Sequence, residues 1–290
     1  MSAGPDPESF LSGHSGHVAG LRRRAARTLG DGALDLLERA RGSAGALDRL
    51  AERGPPRDVL VLGVYRPERD LLEGALAELR ASRHCVRTLL GSLGPARTGL
   101  LEDTVATGLG GGKFENLNAL LAGARPAPAD WTLVVDDDVV LAPRFLDRFV
   151  AVCEHFDLAL AQPAQTLMSH AAWPITRRRA GSILRETRFV EIGPVTAFRR
   201  DAASELIPFP DLRFGWGLDL HWAAVAAERG WRLGIVDALP VRHEVSAVAS
   251  GYSHSEAVAE GRRFLAGRAF LPSHAVREPV AVHRRIRSIR

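Results

Sequence analysis

The chain predicts an α/β fold built on a largely parallel sheet, and three observations predict it. Short apolar runs at Asp58 to Tyr65, Cys85 to Leu90 and Trp131 to Val135 have the length and β-branched content of buried strands. Between such runs lie segments of about 10 to 15 residues with helical apolar spacing, the alternation that builds parallel sheets. The informative polar residues follow the ends of these runs, where open α/β sheets bind their ligands.

Each element follows from local composition. Residues 1 to about 17 are rich in Gly, Ser and Pro and read as a disordered start. From Val18 to Arg53, apolar residues (Leu21, Ala25, Leu34, Leu37, Leu47, Leu50) recur at helical spacing, interrupted by Gly30, Gly32 and Gly42. Two or three short helices are expected there, closed by Gly54-Pro55-Pro56. The strand Asp58 to Tyr65 ends at Arg66-Pro67, a helix follows over Glu68 to Ser82, and Cys85 to Leu90 is the second strand. Thr104 to Leu109 leads into Gly110-Gly111-Gly112 and a helix over Lys113 to Ala124. After the strand Trp131 to Val135 come a helix (Pro143 to Phe156) and a strand (Leu158 to Gln162). Phe189 to Phe198 reads as a strand, Leu218 to Arg229 as a helix and Arg232 to Val236 as a last strand. The expected organisation is an extension over 1–55, a main domain over 56–250, and a helix with a basic tail over 251–290.

Bulk properties narrow the function classes. The 290 residues are 46% hydrophobic and 25% charged, ordinary values for a soluble globular chain. No run reaches the roughly 18 apolar residues of a membrane-spanning helix, and Met1 to Gly20 shows no secretory signal pattern. Cys85 and Cys153 form neither a disulfide framework nor a zinc site, which fits a reducing cytoplasm. The pI of about 9.8 is produced locally. Arg277, Arg284, Arg285, Arg287 and Arg290 against Glu278 give the tail the chain's whole net charge of +4. A neutral body with a basic tail argues against nucleic acid as a partner. The tail reads first as a solvated, disordered end and the Arg22-Arg23-Arg24 segment as an ordinary packed extension, with contact to an anionic membrane surface or a partner as the alternative for these basic segments.

Four stretches carry chemistry. The first is the strand Trp131 to Val135 followed by Asp136-Asp137-Asp138. Three adjacent carboxylates at a strand end repel one another unless a cation joins them, and hard oxygen donors suit Mg²⁺ or Mn²⁺. The second is Gly110-Gly111-Gly112-Lys113-Phe114-Glu115-Asn116-Leu117-Asn118. Lys113 is the only lysine among 38 basic residues, and Asn116 and Asn118 are the only asparagines. A compact ammonium and short amides at a glycine-opened helix start suit nucleotide phosphate or ribose. The third is Phe214-Gly215-Trp216-Gly217-Leu218-Asp219, where a shielded carboxylate at a helix start can act as general base. The fourth is His243 after the last strand, an imidazole suited to a Mn²⁺-like ion.

With these stretches in order, the chain resembles the GT-A nucleotide-sugar glycosyltransferases, broadly family 2, over about residues 57 to 245. Gln162-Pro163 and Phe189-Val190-Glu191-Ile192-Gly193-Pro194 fall where that pattern places comparable segments. The resemblance implies a Rossmann-like mixed sheet flanked by helices, with the helical extension and basic tail as additions. It implies a nucleotide-sugar donor, a hydroxyl acceptor that the sequence does not identify, and Mn²⁺ or Mg²⁺ as cofactor. It places Asp138 and His243 at the metal, Asp136 nearer the donor ribose or the metal, and Asp137 at the donor. Tyr65 and Arg66 would meet nucleobase and ribose, Lys113 and Asn116 the nucleotide or sugar. Asp219 matches the base of inverting members, although Leu218 stands where those often carry Glu. Trp216, Trp173 and Glu191 are candidates for sugar or acceptor contact.

Two other classes accommodate the acidic triplet. A haloacid-dehalogenase-like phosphatase or a nucleotidyltransferase uses the same strand-end carboxylates. The phosphatase motif belongs on a first strand with a lysine downstream, and here three strands precede it and no lysine follows residue 113. A non-catalytic scaffold of this fold is the other alternative.

Overall fold

The computed structural model describes residues 4–14, 20–243 and 253–286. In chain order the helices are α1 (Leu21–Ala40), α2 (Ser43–Arg53), α3 (Leu71–Arg80), α4 (Lys113–Ala124), α5 (Phe145–His155), α6 (Arg200–Leu206), α7 (Leu218–Arg229) and α8 (His254–Leu265). The strands are β1 (Asp58–Tyr65), β2 (Cys85–Ser92), β3 (Thr104–Ala106), β4 (Trp131–Val135), β5 (Val139–Val140), β6 (Leu158–Gln165), β7 (Leu184–Thr187), β8 (Val195–Arg199), β9 (Arg232–His243) and β10 (Ala281–His283).

Among the described residues these elements form one mixed sheet in the order β10-β7-β9-β6-β8-β4-β1-β2-β3, with β5 pairing β9. Strands β4, β1, β2 and β3 run parallel, as the alternation of strand and helix predicts. β6 and β9 are a second parallel pair, and antiparallel strands join and flank the two parallel groups. β8 lies antiparallel between β4 and β6, β7 is antiparallel to β9, and β10 to β7. The short links around β7 and β8 hold no long crossover helix, and parallel pairing requires one.

The sheet has a core on each side. One holds Phe114, Phe198, Phe209 and Trp222, whose rings meet edge-on or tilted, with centroids 5.1 to 6.5 Å apart. The other holds Leu72, Leu76, Trp131, Phe145 and Phe149 under α3 and α5. Four elements lie where the sequence predicts: Asp58–Tyr65, Trp131–Val135, Lys113–Ala124 and Leu218–Arg229 match residue for residue.

Several expectations are corrected. Phe189 to Phe198 is a strand only from Val195. Residues 188–194 cross the sheet edge as a loop that ends in a cis Gly193–Pro194 bond. The first extension helix runs through Gly30 and Gly32 as one 20-residue helix, because its inward face is fastened by hydrogen bonds rather than by apolar packing. The described part of the start is ordered: Pro7–Ser9 forms a 3₁₀ turn and Phe10, 2% exposed, enters the first core. The tail is paired into the sheet as far as His283. Val18, Glu244, Arg287 and Arg290 lie outside the described residues.

Candidate active site

The carboxyl ends of β1, β4, β6 and β9, the start of β8 and the first turns of α4 and α7 meet at one edge of the sheet. They enclose a cavity of about 890 Å³. The acidic triplet sits at the end of β4. The Asp136 backbone N–H donates to the Pro194 carbonyl at 2.9 Å, which docks the 188–194 loop over it. That loop passes so close that a Cβ on Gly193 would meet Asp136 Oδ2 at 2.7 Å.

The three aspartates have different partners. Asp137, 4% exposed, is fully engaged. It accepts from Arg66 Nε and Nη2 at 3.0 and 2.9 Å, from the Arg66 backbone N–H at 2.9 Å, and from Arg69 at 2.8 Å. Asp138 faces both Arg69 (2.9 Å) and His243 Nε2 (3.0 Å). Burial works against its charge, but the His243 hydrogen bond and the positive charges of His243, Arg69 and Arg66 hold its carboxyl below the usual range. Asp136 carries an ion pair to Lys113 Nζ at 2.6 Å, yet burial pushes its carboxyl up, helped by the charge of Asp138. Burial works against the charge of His243, but the Asp138 hydrogen bond and the charges of Asp138 and Asp136 raise it above the usual imidazole value.

Asp136, Asp138 and His243 each present a ligand atom within 4.8 Å of the others. Two carboxylates and an imidazole are a donor set for a divalent ion of the Mn²⁺ kind, and His243 Nδ1 is buried with no hydrogen-bond partner. The residues fit such an ion. A divalent charge between Asp136 and Asp138 would relieve the burial penalty that Lys113 leaves on Asp136.

The glycine run opens α4 as its composition predicts. The Gly112 N–H donates to Glu115 Oε2 at 2.7 Å. Only glycine fits at position 112, since a Cβ there would fall 1.8 Å from the Arg213 carbonyl oxygen. Lys113 is thereby aimed at Asp136 and at the Ile192 carbonyl, 2.7 Å away. Asn116 closes the turn from below, its amide bonding both backbone groups of Gly111 at 3.1 and 2.8 Å. Asn118 clasps the Phe209 backbone in the same manner. Glu260 of α8 accepts from the backbone N–H groups of Arg213, Phe214 and Gly215, holding the loop before α7.

Two further carboxyls line the cavity. Asp219, in the first turn of α7, accepts from the Leu220 N–H at 2.9 Å and from the Trp173 side chain, and burial raises it to about 7. Glu191, which accepts from Gln165 Nε2 at 2.8 Å, is raised to about 8 by burial and by the charge of Asp219. A carboxyl that titrates near neutrality inside a cavity is able to move a proton at working pH.

Nearly all the sequence-derived candidates line this cavity: Arg66, Lys113, Asn116, Asp136, Asp137, Asp138, Trp173, Glu191, Trp216, Asp219 and His243. Tyr65 does not. Its ring is fully buried and its hydroxyl shares a 2.8 Å hydrogen bond with Thr104, so it supports the strand end from the core side rather than facing a base. Asn116 spends its amide on Gly111, and Asp137 spends its carboxylate on two arginines. Arg69 stands outside the sequence-derived candidates because one arginine among so many carries no sequence signal. Phe10 and His14 of the start also line the cavity, and the glycine-rich composition there gave no sign of it.

No protein-family model matches the chain, and no curated protein matches it in sequence. Among solved structures it is similar to the mannosyltransferase PcManGT from Pyrobaculum calidifontis in complex with GDP-Man and Mn²⁺. That likeness is at 19% identity over 79% of this chain and 69% of that one, with a TM-score of 0.50. It is also similar to S. aureus TarS 1-349 in complex with UDP-GlcNAc, at 12% identity over 71% of this chain and 64% of that one, with a TM-score of 0.48. The first likeness gives the chain a GT-A-like fold.

Proposed function

We propose that this chain is a metal-dependent glycosyltransferase that moves a sugar from a nucleoside-diphosphate donor to a hydroxyl acceptor with inversion. The observation that carries the reading is the convergence of Asp136, Asp138 and His243 in the cavity that also holds Lys113 and Asp219. The fold is shared with a mannosyltransferase solved with a nucleotide sugar and Mn²⁺. Asp136, Asp138 and His243 would hold Mn²⁺ or Mg²⁺, and the imidazole favours Mn²⁺. A bound ion would offset the negative charge of a diphosphate leaving group.

The chain's own residues supply the rest. The ammonium of Lys113 stands beside Asp136 to receive phosphate oxygen, and its position on the first turn of α4 adds the favourable end of the helix dipole. Asp219, ionised at and above about pH 7, takes the proton of the acceptor hydroxyl as that oxygen attacks the anomeric carbon. The bond from that carbon to the diphosphate breaks, and its electron pair leaves on the diphosphate oxygen. Trp173 orients Asp219, and Trp216, packed edge-on against His254 at 4.9 Å, offers an apolar face to a sugar ring. Glu191 is placed to accept from sugar hydroxyls once ionised.

The test is product analysis with a panel of nucleotide sugars and Mn²⁺. Release of a nucleoside diphosphate, abolished by chelation and by Asp138→Ala, supports the reading. Release of inorganic phosphate or pyrophosphate would replace it with the phosphatase or nucleotidyltransferase alternative. No turnover of any donor with any acceptor would favour the scaffold.

A further inference from the structure

Helix α1 is amphipathic in the reverse of the usual sense. Its polar face points inward and fastens it to the body. Arg27 donates to the Leu167 carbonyl at 3.0 Å, and Asp31 accepts from the backbone N–H groups of Leu167 and Met168 at 2.9 and 3.1 Å. Asp35 pairs with Arg178 at 2.7 Å, and Glu38 takes the Gly181 N–H at 3.1 Å and the Ser43 hydroxyl at 2.6 Å. Every acid of the helix is therefore engaged with the protein.

The outward face carries the apolar residues. Spacings of three and four put Ala26, Leu29, Ala33, Leu36 and Ala40 on one stripe, with Leu37 beside it. Leu29 is 75% exposed, Leu36 65% and Leu37 42%. The charges that border this stripe are all positive. Arg22 and Arg23 stand at its start and Arg39 and Arg41 at its end, all exposed, and the one exposed acid of the helix, Asp35, is turned away to Arg178. The basic C-terminal stretch reaches the same end. The guanidinium groups of Arg41 and Arg284 both flank Gly181, and Arg284 and Arg285 are exposed.

We propose that the outward face of α1 docks on an anionic lipid surface, with the leucine stripe in the headgroup–acyl boundary and the bordering arginines on lipid phosphates. A 20-residue helix is about 30 Å long, enough to lie flat in that boundary. Charge selects lipid over a second copy of the chain. Two such faces laid together would bring arginines against arginines with no acid between them, whereas an anionic bilayer supplies the missing partner. The inference does not depend on the catalytic reading, since none of these residues lines the cavity at the sheet edge.

The test is sedimentation of the full chain with phosphatidylcholine vesicles, with or without phosphatidylglycerol as about a third of the lipid. Wild type sediments with the anionic vesicles and not with the neutral ones, and added salt releases it. Leu29→Glu/Leu36→Glu and Arg22→Glu/Arg23→Glu each lower the partition coefficient at least about tenfold. Both leave the melting temperature unchanged, because the altered side chains point to solvent. Binding that ignores lipid charge, or survives both double substitutions, overturns the proposal. So does a wild-type dimer that Leu29→Glu/Leu36→Glu converts to monomer, because the stripe would then be an interface between copies.

Discussion

Replacing Asp219 by Asn should separate stability from activity, and the size of the effect follows from its surroundings. Burial raises this carboxyl from 3.8 to about 7. The folded protein therefore binds the proton more tightly than the unfolded chain does. The associated stability is complete below the unfolded value of about 4 and is lost as pH rises toward 7. Three pH units correspond to roughly 4 kcal/mol at most. Asn cannot ionise, so it escapes this loss. Its single carbonyl must serve both the Leu220 N–H and the Trp173 indole, which costs about 1 kcal/mol. The variant should thus trail wild type slightly below about pH 4, draw level at about pH 4.5, already lead at pH 5 and exceed it by up to about 3 kcal/mol at pH 8, a gain of about 6 °C in a chain of this size. Turnover should fall at least about a hundredfold if Asp219 is the base. Calorimetric melts of both proteins from pH 5 to 9, with donor turnover measured in parallel, test both parts. Parallel stability curves would refute the claim that burial holds this carboxyl protonated, and near-normal turnover in the variant would remove the base assignment.

Other outcomes follow from the same geometry. Asp137→Ala leaves Arg66, which is partly exposed, without its carboxylate and Arg69 with Asp138 alone, and should destabilise the apo protein by about 1 to 3 kcal/mol, visible as an earlier denaturant midpoint. Asp138→Ala should spare more stability, because Arg69 retains Asp137, while abolishing metal binding in a Mn²⁺ titration. Gly112→Ala places a methyl group 1.8 Å from the Arg213 carbonyl oxygen, so α4 or the loop before α7 must move. It should lower the melting temperature and donor binding together, whereas Gly110→Ala, with open space around its Cβ position, should affect stability little.

The sequence shows most of the sheet's parallel half because its strands are uninterrupted apolar runs closed by Pro, Gly or Asp. In the other half β6 and β9, parallel to each other, are also legible, but the antiparallel strands hide their pattern. β7 escapes notice because Arg185 sits in it, 4% exposed, with Asp237 from β9 at 2.8 Å, and a buried ion pair looks like surface in one dimension. Residues 188–194 mislead in the opposite direction. Phe189 and Val190 are fully buried, so the loop is as apolar as a strand, yet its role is to cross the sheet edge and cover Asp136. At the site, the triplet, the lone lysine and the late histidine were legible because few other demands explain those residue types there. Which aspartate faces an arginine and which faces His243 depends on tertiary register. The same holds for Tyr65, whose place at a strand end does not reveal which side of the sheet its ring takes.

The central claim is that Asp136, Asp138 and His243 hold a divalent ion that presents a nucleoside diphosphate to Lys113. The most direct measurement is a thermal-shift series with UDP, GDP, dTDP, CDP and ADP, with and without Mn²⁺, on wild type and Asp138→Ala. A ligand at about 100 times its Kd adds roughly 2.7 kcal/mol, a shift of about 5 °C. The account predicts such a rise for one nucleotide, only with the metal and only in wild type. A rise that persists without metal or in Asp138→Ala, or no rise with any nucleotide at saturating Mn²⁺, would contradict it.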